Sequence, residues 1–487
     1  MVKVERTRII LKPDSSRVFF RPFDFMSRER VTRIVARVMA LSEKETEREF
    51  ERIILSFGDR HQRLKDFFLH RFQAAEAELF SDRMLSESRM MLLGAYFSQE
   101  YALEAAALFN PSMVPHPDQS DLPAGSTRFV VSLRATGEGH ISSIVFRSGT
   151  VDVEGNLEVA KPTPFVTSPE LRTDLAYEKP LFQRKLAELG ILNDFAESVL
   201  AELPTCFTLS DLRTVLDRIL KRDRRLFHDK HPTAEEMISL ARANYEVQFR
   251  PDQRMSERVI FPHTPAETKG IEDARFVLFK EDDGTTCYYA TYTAFDGNVI
   301  LPQMLETTDF LTFKINTLNG PEVHNKGMAL FPRRINGRYA MISRQDGENL
   351  FIMYSDMLHF WYEKKILMRP THPWEFVQIG NCGSPIETKD GWLLLTHGVG
   401  PMRQYCIGAA LLDLEDPSKV IGRLREPLLK PSKSEREGYV PNVVYSCGAM
   451  VHGKKLILPY AMSDQFSSFA IVDMQELLDE LIQSPMH

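Results

Sequence analysis

Five β-rich stretches, four of them built to one format, constrain the fold of this chain more than any other feature of its sequence. They begin at Arg128-Phe129-Val130-Val131, Arg275-Phe276-Val277-Leu278, Met328-Ala329-Leu330-Phe331, Ser384-Pro385-Ile386-Glu387 and Gly448-Ala449-Met450-Val451. The shared format is a short strand, a polar turn, and an apolar strand that runs to a polar end. Ile335-Asn336-Gly337-Arg338 with the strand after it, Lys389-Asp390-Gly391 with Trp392 to His397, and His452-Gly453-Lys454 with Lys455 to Tyr460 all follow it. Asn-Gly and Asp-Gly between apolar runs signal hairpins because both turn positions accept positive φ. Over the last four stretches the repeat is roughly 50 to 65 residues, the size of a propeller blade. The expected fold class is therefore mainly β: a five-bladed β-propeller with an N-terminal α-helical region and a helical insertion.

The helical parts show in spacing. From about Ser27 to Phe109 the chain is rich in Glu, Arg, Leu, Ala and Met, with Val31, Ile34, Val35, Val38 and Met39 on one face. The run stops at Asn110-Pro111, where the residue before proline is pushed out of helical geometry. Between the first two β stretches, Leu212, Val215, Leu216, Ile219 and Leu220 make a second helical face, with Thr208 to Asp211 as its cap. These signals predict a helical region at 1–110, a propeller at 111–470 interrupted by helices at about 177–247, and a C-terminal helix at 471–487.

Composition narrows the partners. The 60 basic and 67 acidic residues give a net charge of −7 and are mixed along the 487-residue chain, which argues against an electrostatic nucleic-acid binder. No apolar run reaches the roughly 18 to 20 residues of a membrane helix, and the N-terminus carries no apolar signal core. The expected location is the cytoplasm, with no membrane partner. Cys206, Cys287, Cys382, Cys406 and Cys447 are scattered and form no Cys-x-x-Cys pair. They predict neither a disulfide framework nor a zinc site, and no other metal motif is present.

A propeller gathers the ends of its inner strands at one axis, so polar residues far apart in sequence converge on one pocket. Candidates for that pocket are Arg134 and His140, Asp273 and Arg275, Lys326, His397 and Tyr405, and Asn442 and Asp464. Each has a plainer reading. Asp273 and Arg275 also fit a structural pair anchoring a turn, Lys326 a solvated loop charge, His397 a buried core histidine, and Asn442 and Asp464 turn-stabilising Asx residues.

In these same segments the chain resembles glycoside hydrolase family 130, mostly inverting β-mannoside phosphorylases with some β-mannosidases. The resemblance is carried by Gly270-Ile271-Glu272-Asp273-Ala274-Arg275, Leu330 to Arg338, Gly391 to Val399, Gly408 to Val420, and Val440-Pro441-Asn442-Val443. It implies a five-bladed propeller, and the N-terminal helices look like those of longer members, among them phosphorylases of β-1,2-linked oligomannans. It further implies phosphorolysis to α-mannose 1-phosphate, with inorganic phosphate as co-substrate, a β-mannoside oligosaccharide as substrate, and no cofactor. Asp273 matches the family's proton donor, which acts through the 3-hydroxyl of the mannose before the cleaved bond. Lys326, His397 and Tyr405 match the phosphate clamp. Arg275, His140, Asn325, Asn442 and Asp464 are the sugar-binding candidates.

Two positions depart from the pattern. Ala274 stands where the family commonly has proline, and Gln378 where some members use a phosphate-binding lysine, so that Arg134 and Arg403 become candidates to supply the missing charge. A β-mannosidase using water and a non-catalytic glycan-binding propeller are the alternatives, and the helical faces leave a homo-oligomer open.

Overall fold

The computed structural model of the chain describes residues 2–23, 27–75, 84–172, 175–222 and 232–484. Residues 76–83, 223–231 and 485–487, within stretches expected to be helical, lie outside the described residues.

Each of the five β-rich stretches supplies one antiparallel sheet. The first holds Ala107–Pro115, Thr127–Thr136 and Ser142–Val151, with Leu157–Val159 and Val259–Ile260 on its outer side. The second runs from Ile271–Lys280 through Thr286–Phe295, Ile300–Thr307 and Thr312–Thr317 to Tyr245–Gln248 and Glu170–Arg172. The third holds Lys326–Leu330, Tyr339–Arg344, Leu350–Ser355 and Lys364–Met368. The fourth is built from Gln378–Asn381, Gly391–Val399, Tyr405–Leu412 and Val420–Arg423, with Ile386–Thr388 beside Gly391–Val399. The fifth holds Val444–Tyr445, Met450–His452, Lys455–Met462 and Phe466–Asp473, and its outer edge is Val4–Leu11 from the other end of the chain.

The middle strands are buried on both faces, which is why their sequences read as continuous apolar runs rather than strict alternation. Along Gly391–Val399, Leu393 and Leu395 pack toward the fifth sheet, whereas Trp392 and Leu394 pack toward the third. Five apolar layers arise in this way. They join the first sheet to the second, the second to the third, the third to the fourth, the fourth to the fifth, and the fifth back to the first through Phe129, Val131, Ile457 and Phe469.

Just past the leading strands of the fourth and fifth sheets, two glycines have no room for a side chain. A Cβ on Gly383 would lie 2.4 Å from the Cys447 carbonyl oxygen, and one on Gly448 2.6 Å from Ser112 Oγ. The Cys447 amide donates to the Pro111 carbonyl at 2.8 Å and the Phe276 amide to Ser112 Oγ at 3.0 Å.

The turns follow the sequence closely but not everywhere. Asn336 and Gly337 take φ 49° and 77°, the mirror-image turn expected of Asn-Gly. In the next hairpin Thr388 pairs with Gly391, so the turn residues are Lys389 and Asp390, and Gly391, at φ 140°, follows them. The N-terminal 110 residues are helical only in part: Arg28–Met39, Glu43–Phe57, Leu64–Ala75 and Glu87–Tyr96. Val4–Leu11, Val18–Pro22, Ser98–Ala102 and Ala107–Pro115 are strands. The Ala- and Leu-rich stretch from Tyr101 to Phe109 has high helix propensity, but Tyr101, Leu103 and Leu108 are buried in the layer closing the first sheet on the fifth, and that burial decides its conformation.

The insertion forms Lys179–Glu188, Asp194–Glu202, Leu209–Arg222 and Pro232–Arg242 around a core of its own. Its Thr208–Asp211 cap is present, with the Asp211 amide donating to Thr208 Oγ1 at 3.2 Å and the Thr208 amide to Asp211 Oδ2 at 2.8 Å. The C-terminal helix, Met474–Ile482, buries Leu477, Leu478 and Leu481 against the fourth and fifth sheets.

Candidate active site

The leading strands of the first three sheets each break register at the same place. The breaks fall between Phe109 and Ser112, Glu272 and Arg275, and Lys326 and Ala329. In each bulge the residue after the first takes positive φ: Asn110 at 49°, Asp273 at 56°, Gly327 at 86°. Asn and Asp tolerate this left-handed conformation through local hydrogen bonding, and bulges of this kind re-aim side chains beside functional sites. Here the bulges turn Asn110 and Asp273 toward each other, and Asn110 Nδ2 donates to Asp273 Oδ1 at 2.7 Å.

From Asp273 a chain of contacts runs through most of the residues singled out in the sequence. Arg134 donates to Asp273 Oδ1 at 3.4 Å and to Glu272 Oε1 at 2.8 Å, and Lys326 Nζ donates to Glu272 Oε2 at 2.6 Å. On the other side, buried Arg275 donates to the Asp273 carbonyl at 2.9 Å and to the Tyr445 hydroxyl at 2.7 Å. The Tyr445 ring meets that of His397 edge-on at 4.8 Å, and Tyr405 stacks on His397 at 5.9 Å. His397 Nε2 lies 3.3 Å from Arg344 Nη1, which also reaches the Gln378 amide oxygen at 2.5 Å while the amide nitrogen donates to the Gly347 carbonyl at 3.3 Å. Arg344 is the register partner of Lys326, and this pairing brings the two ends of the chain of contacts together.

The electrostatics follow from this crowding. Burial alone raises the Asp273 carboxyl, but the Arg134 and Arg275 charges, the Asn110 hydrogen bond and Lys326 outweigh it and hold the group below the ordinary 3.8. Asp464 goes the other way: burial and the neighbouring Asp273 charge lift it to about 6, against the opposing pull of Arg134 and Arg403. His397 is held well below 6.5 by burial and by Arg344 and Arg275, so its ring is neutral, with Nδ1 donating to the Asn381 carbonyl at 3.3 Å and Nε2 accepting from Arg344. Burial pushes the Cys382 thiol up to about 12, which fits packing rather than nucleophilic chemistry.

Three sugar-binding candidates stand apart from this network. Asn325 turns back to donate to the Gln345 carbonyl at 3.0 Å, and Asn442 Oδ1 accepts from Arg436 at 2.7 Å. His140 is exposed at the tip of the loop joining Thr127–Thr136 to Ser142–Val151, 3.3 Å from the Tyr439 hydroxyl. Arg403 occupies the corresponding loop of the fourth sheet, with φ 55° against 59° at His140. Sequence reasoning missed Arg344, Tyr445, Asn110 and Glu272 as members of the cluster. The signal for Arg344 was its place at the end of an apolar strand, the same position that marked His397. Among the described residues no cluster of His, Cys, Asp and Glu has the makings of a metal site.

A family model described as beta-1,4-mannooligosaccharide phosphorylase, that of glycoside hydrolase family 130, matches residues 223–483, over half of the chain. The chain belongs to glycoside hydrolase family 130.

Within the family, it is 38% identical over 232 residues to a 1,2-beta-oligomannan phosphorylase of a Thermoanaerobacter species, spanning 46% of this chain and 75% of the relative. It is 29% identical over 272 residues to a beta-1,2-mannobiose phosphorylase of Listeria innocua, spanning 54% and 74%. The solved structure of the Listeria innocua beta-1,2-mannobiose phosphorylase aligns over 78% of this chain and 93% of its own, at 20% identity and a TM-score of 0.44.

Proposed function

We propose that this family 130 member is a five-bladed β-propeller that cleaves β-mannosides by inverting phosphorolysis, releasing α-mannose 1-phosphate and a shortened acceptor. The substrate class is β-1,2-linked mannooligosaccharides. The cyclic order of the five apolar layers supports the propeller, with the N-terminal helices and the insertion as appended elements. The β-1,2 linkage rests on the names of the relatives in Thermoanaerobacter and Listeria innocua, and the family model's own description names β-1,4 bonds.

The observation that carries phosphorolysis is the convergence of Arg134, Lys326 and Arg344 in the one network that holds Asp273, with Arg344 paired to Lys326 in register and neutral His397 and Tyr405 beside it. An inverting displacement needs an acid on one face of the sugar and a nucleophile on the other. Asp273 supplies the proton to the departing glycosidic oxygen, relayed through the sugar 3-hydroxyl. A phosphate oxygen attacks C1 from the opposite face, the C1–O bond breaks, and the anomeric configuration inverts to α. Phosphate is already anionic, so no carboxylate base is required, and the basic cluster holds it as point charges and guanidinium forks. Gln378 contributes a hydrogen bond and also orients Arg344. Asp464 and Arg275 border the sugar.

Hydrolysis would need a carboxylate to activate water. Glu387 is taken by Arg333 at 2.7 Å, and Glu348 is exposed on the turn after Asp346. The test is the initial rate of β-1,2-mannobiose cleavage against phosphate concentration. A saturable dependence from near zero is expected, and a rate indifferent to phosphate contradicts phosphorolysis.

A further inference from the structure

Glu272 has no part in the chemistry just described, yet it holds two cations of the site, Lys326 and Arg134. Its carboxylate, 13% exposed, accepts from Lys326 Nζ at 2.6 Å and from Arg134 Nη2 at 2.8 Å. Consecutive residues of a regular strand point to opposite faces, but the bulge at Glu272-Asp273 lets both carboxylates meet the one guanidinium of Arg134. A carboxylate needed only to anchor the strand would be served by either partner alone. This one spans from the first sheet to the third, across the strand that carries the acid. An anion that binds to Arg134 and Lys326 finds their donors already engaged by a group of its own sign.

We propose that Glu272 is a positioning residue that acts as an internal counter-ion. It keeps Lys326 and Arg134 aimed while no anion is bound, and its charge limits the affinity of the site for inorganic phosphate and for the phosphate-ester product alike. This role rests on the phosphorolysis reading. Because substrate phosphate and product ester present the same group to the same cations, a site that bound the first too tightly would also retain the second. Glu272 takes back Lys326 and Arg134 as the sugar phosphate leaves.

The experiment uses the full chain with Glu272→Gln, which keeps the acceptor geometry and removes the charge, and Glu272→Ala as a second neutral variant should the first fail to fold by thermal melting. The probes are inorganic phosphate and α-mannose 1-phosphate. In the neutral variant the KM for phosphate and the inhibition constant of α-mannose 1-phosphate should fall together by roughly ten-fold, the equivalent of about 1.4 kcal/mol, with kcat lowered by slow product release. Glu272→Asp, which retains the charge, should return both constants toward the wild-type values. Either constant unchanged or raised in a folded neutral variant overturns the counter-ion role. Phosphate-independent cleavage by the wild type overturns the phosphorolysis reading instead, so the two failures are distinguishable.

Discussion

Asp273 is ionised in the free protein because Arg134 and Arg275 outweigh its burial, yet the proposed reaction requires it to carry a proton. Phosphate reconciles the two. An anion on Arg134 and Lys326 offsets the charges that depress the carboxyl, so its pKa rises when phosphate binds. Phosphate binding should therefore take up protons, measurable by calorimetry in buffers of different ionisation enthalpy. Asp273→Asn should lower turnover by about 10²- to 10⁴-fold. Asp464 offers a test with the opposite sign. Its carboxyl is raised to about 6 in the fold, so its contribution to stability is full below the ordinary 3.8 and is lost as pH climbs through about 6. Asp464→Asn should flatten melting temperature between pH 4 and 6.5 and raise it at pH 7, and a fall at pH 7 would count against that assignment. His397 stood out in the sequence because it ends an apolar run, whereas Asp273 and Lys326, at or before the starts of their strands, stood out through the family motifs they match. Arg344 ends its apolar strand as His397 does, but what joins it to the site is its register with Lys326, which the sequence does not show.

At the scale of elements, the repeated bulge does the aiming. Asn110-Pro111 and Asp273-Ala274 occupy the same place in two sheets, and the first shows that a residue at φ 49° can precede proline there. Ala274→Pro should accordingly be accommodated, and should stabilise the fold by about 0.4–1 kcal/mol by restricting the unfolded chain. A loss of stability in chemical denaturation would show that the two bulges differ in backbone geometry. The hairpins were legible because Asn-Gly and Gly-Lys turns have few alternatives. The bulges were not, because the sequence shows an Asp-Ala-Arg run but not which residue the partner strand skips. Asn110 illustrates the difference: beside a proline and after an Ala-rich run it reads as a helix end, yet it is a strand residue holding the proposed acid.

At the scale of the molecule, the strand Val4–Leu11 forms the outer edge of the sheet built by the last strands, so that sheet joins segments far apart in sequence. Arg6 in that strand donates to Glu435, whose carboxylate also accepts from the Tyr460 hydroxyl and is only 5% exposed. Arg6→Ala leaves that carboxylate short of a partner and should cost about 1–3 kcal/mol in chemical denaturation. Composition pointed to helix for this end of the chain, since strand addition from a distant segment leaves no local mark. The plan of the later sheets was readable from spacing because their inner strands follow one another in sequence, whereas Val259–Ile260, Tyr245–Gln248, Glu170–Arg172 and Val4–Leu11 join from distant segments. In the proposed reaction phosphate, not water, takes the mannosyl group. ³¹P and ¹H NMR of the protein with β-1,2-mannotriose and inorganic phosphate tests it most directly. The expected result is α-mannose 1-phosphate growing in step with mannobiose, and free mannose appearing without any phosphate ester would contradict it.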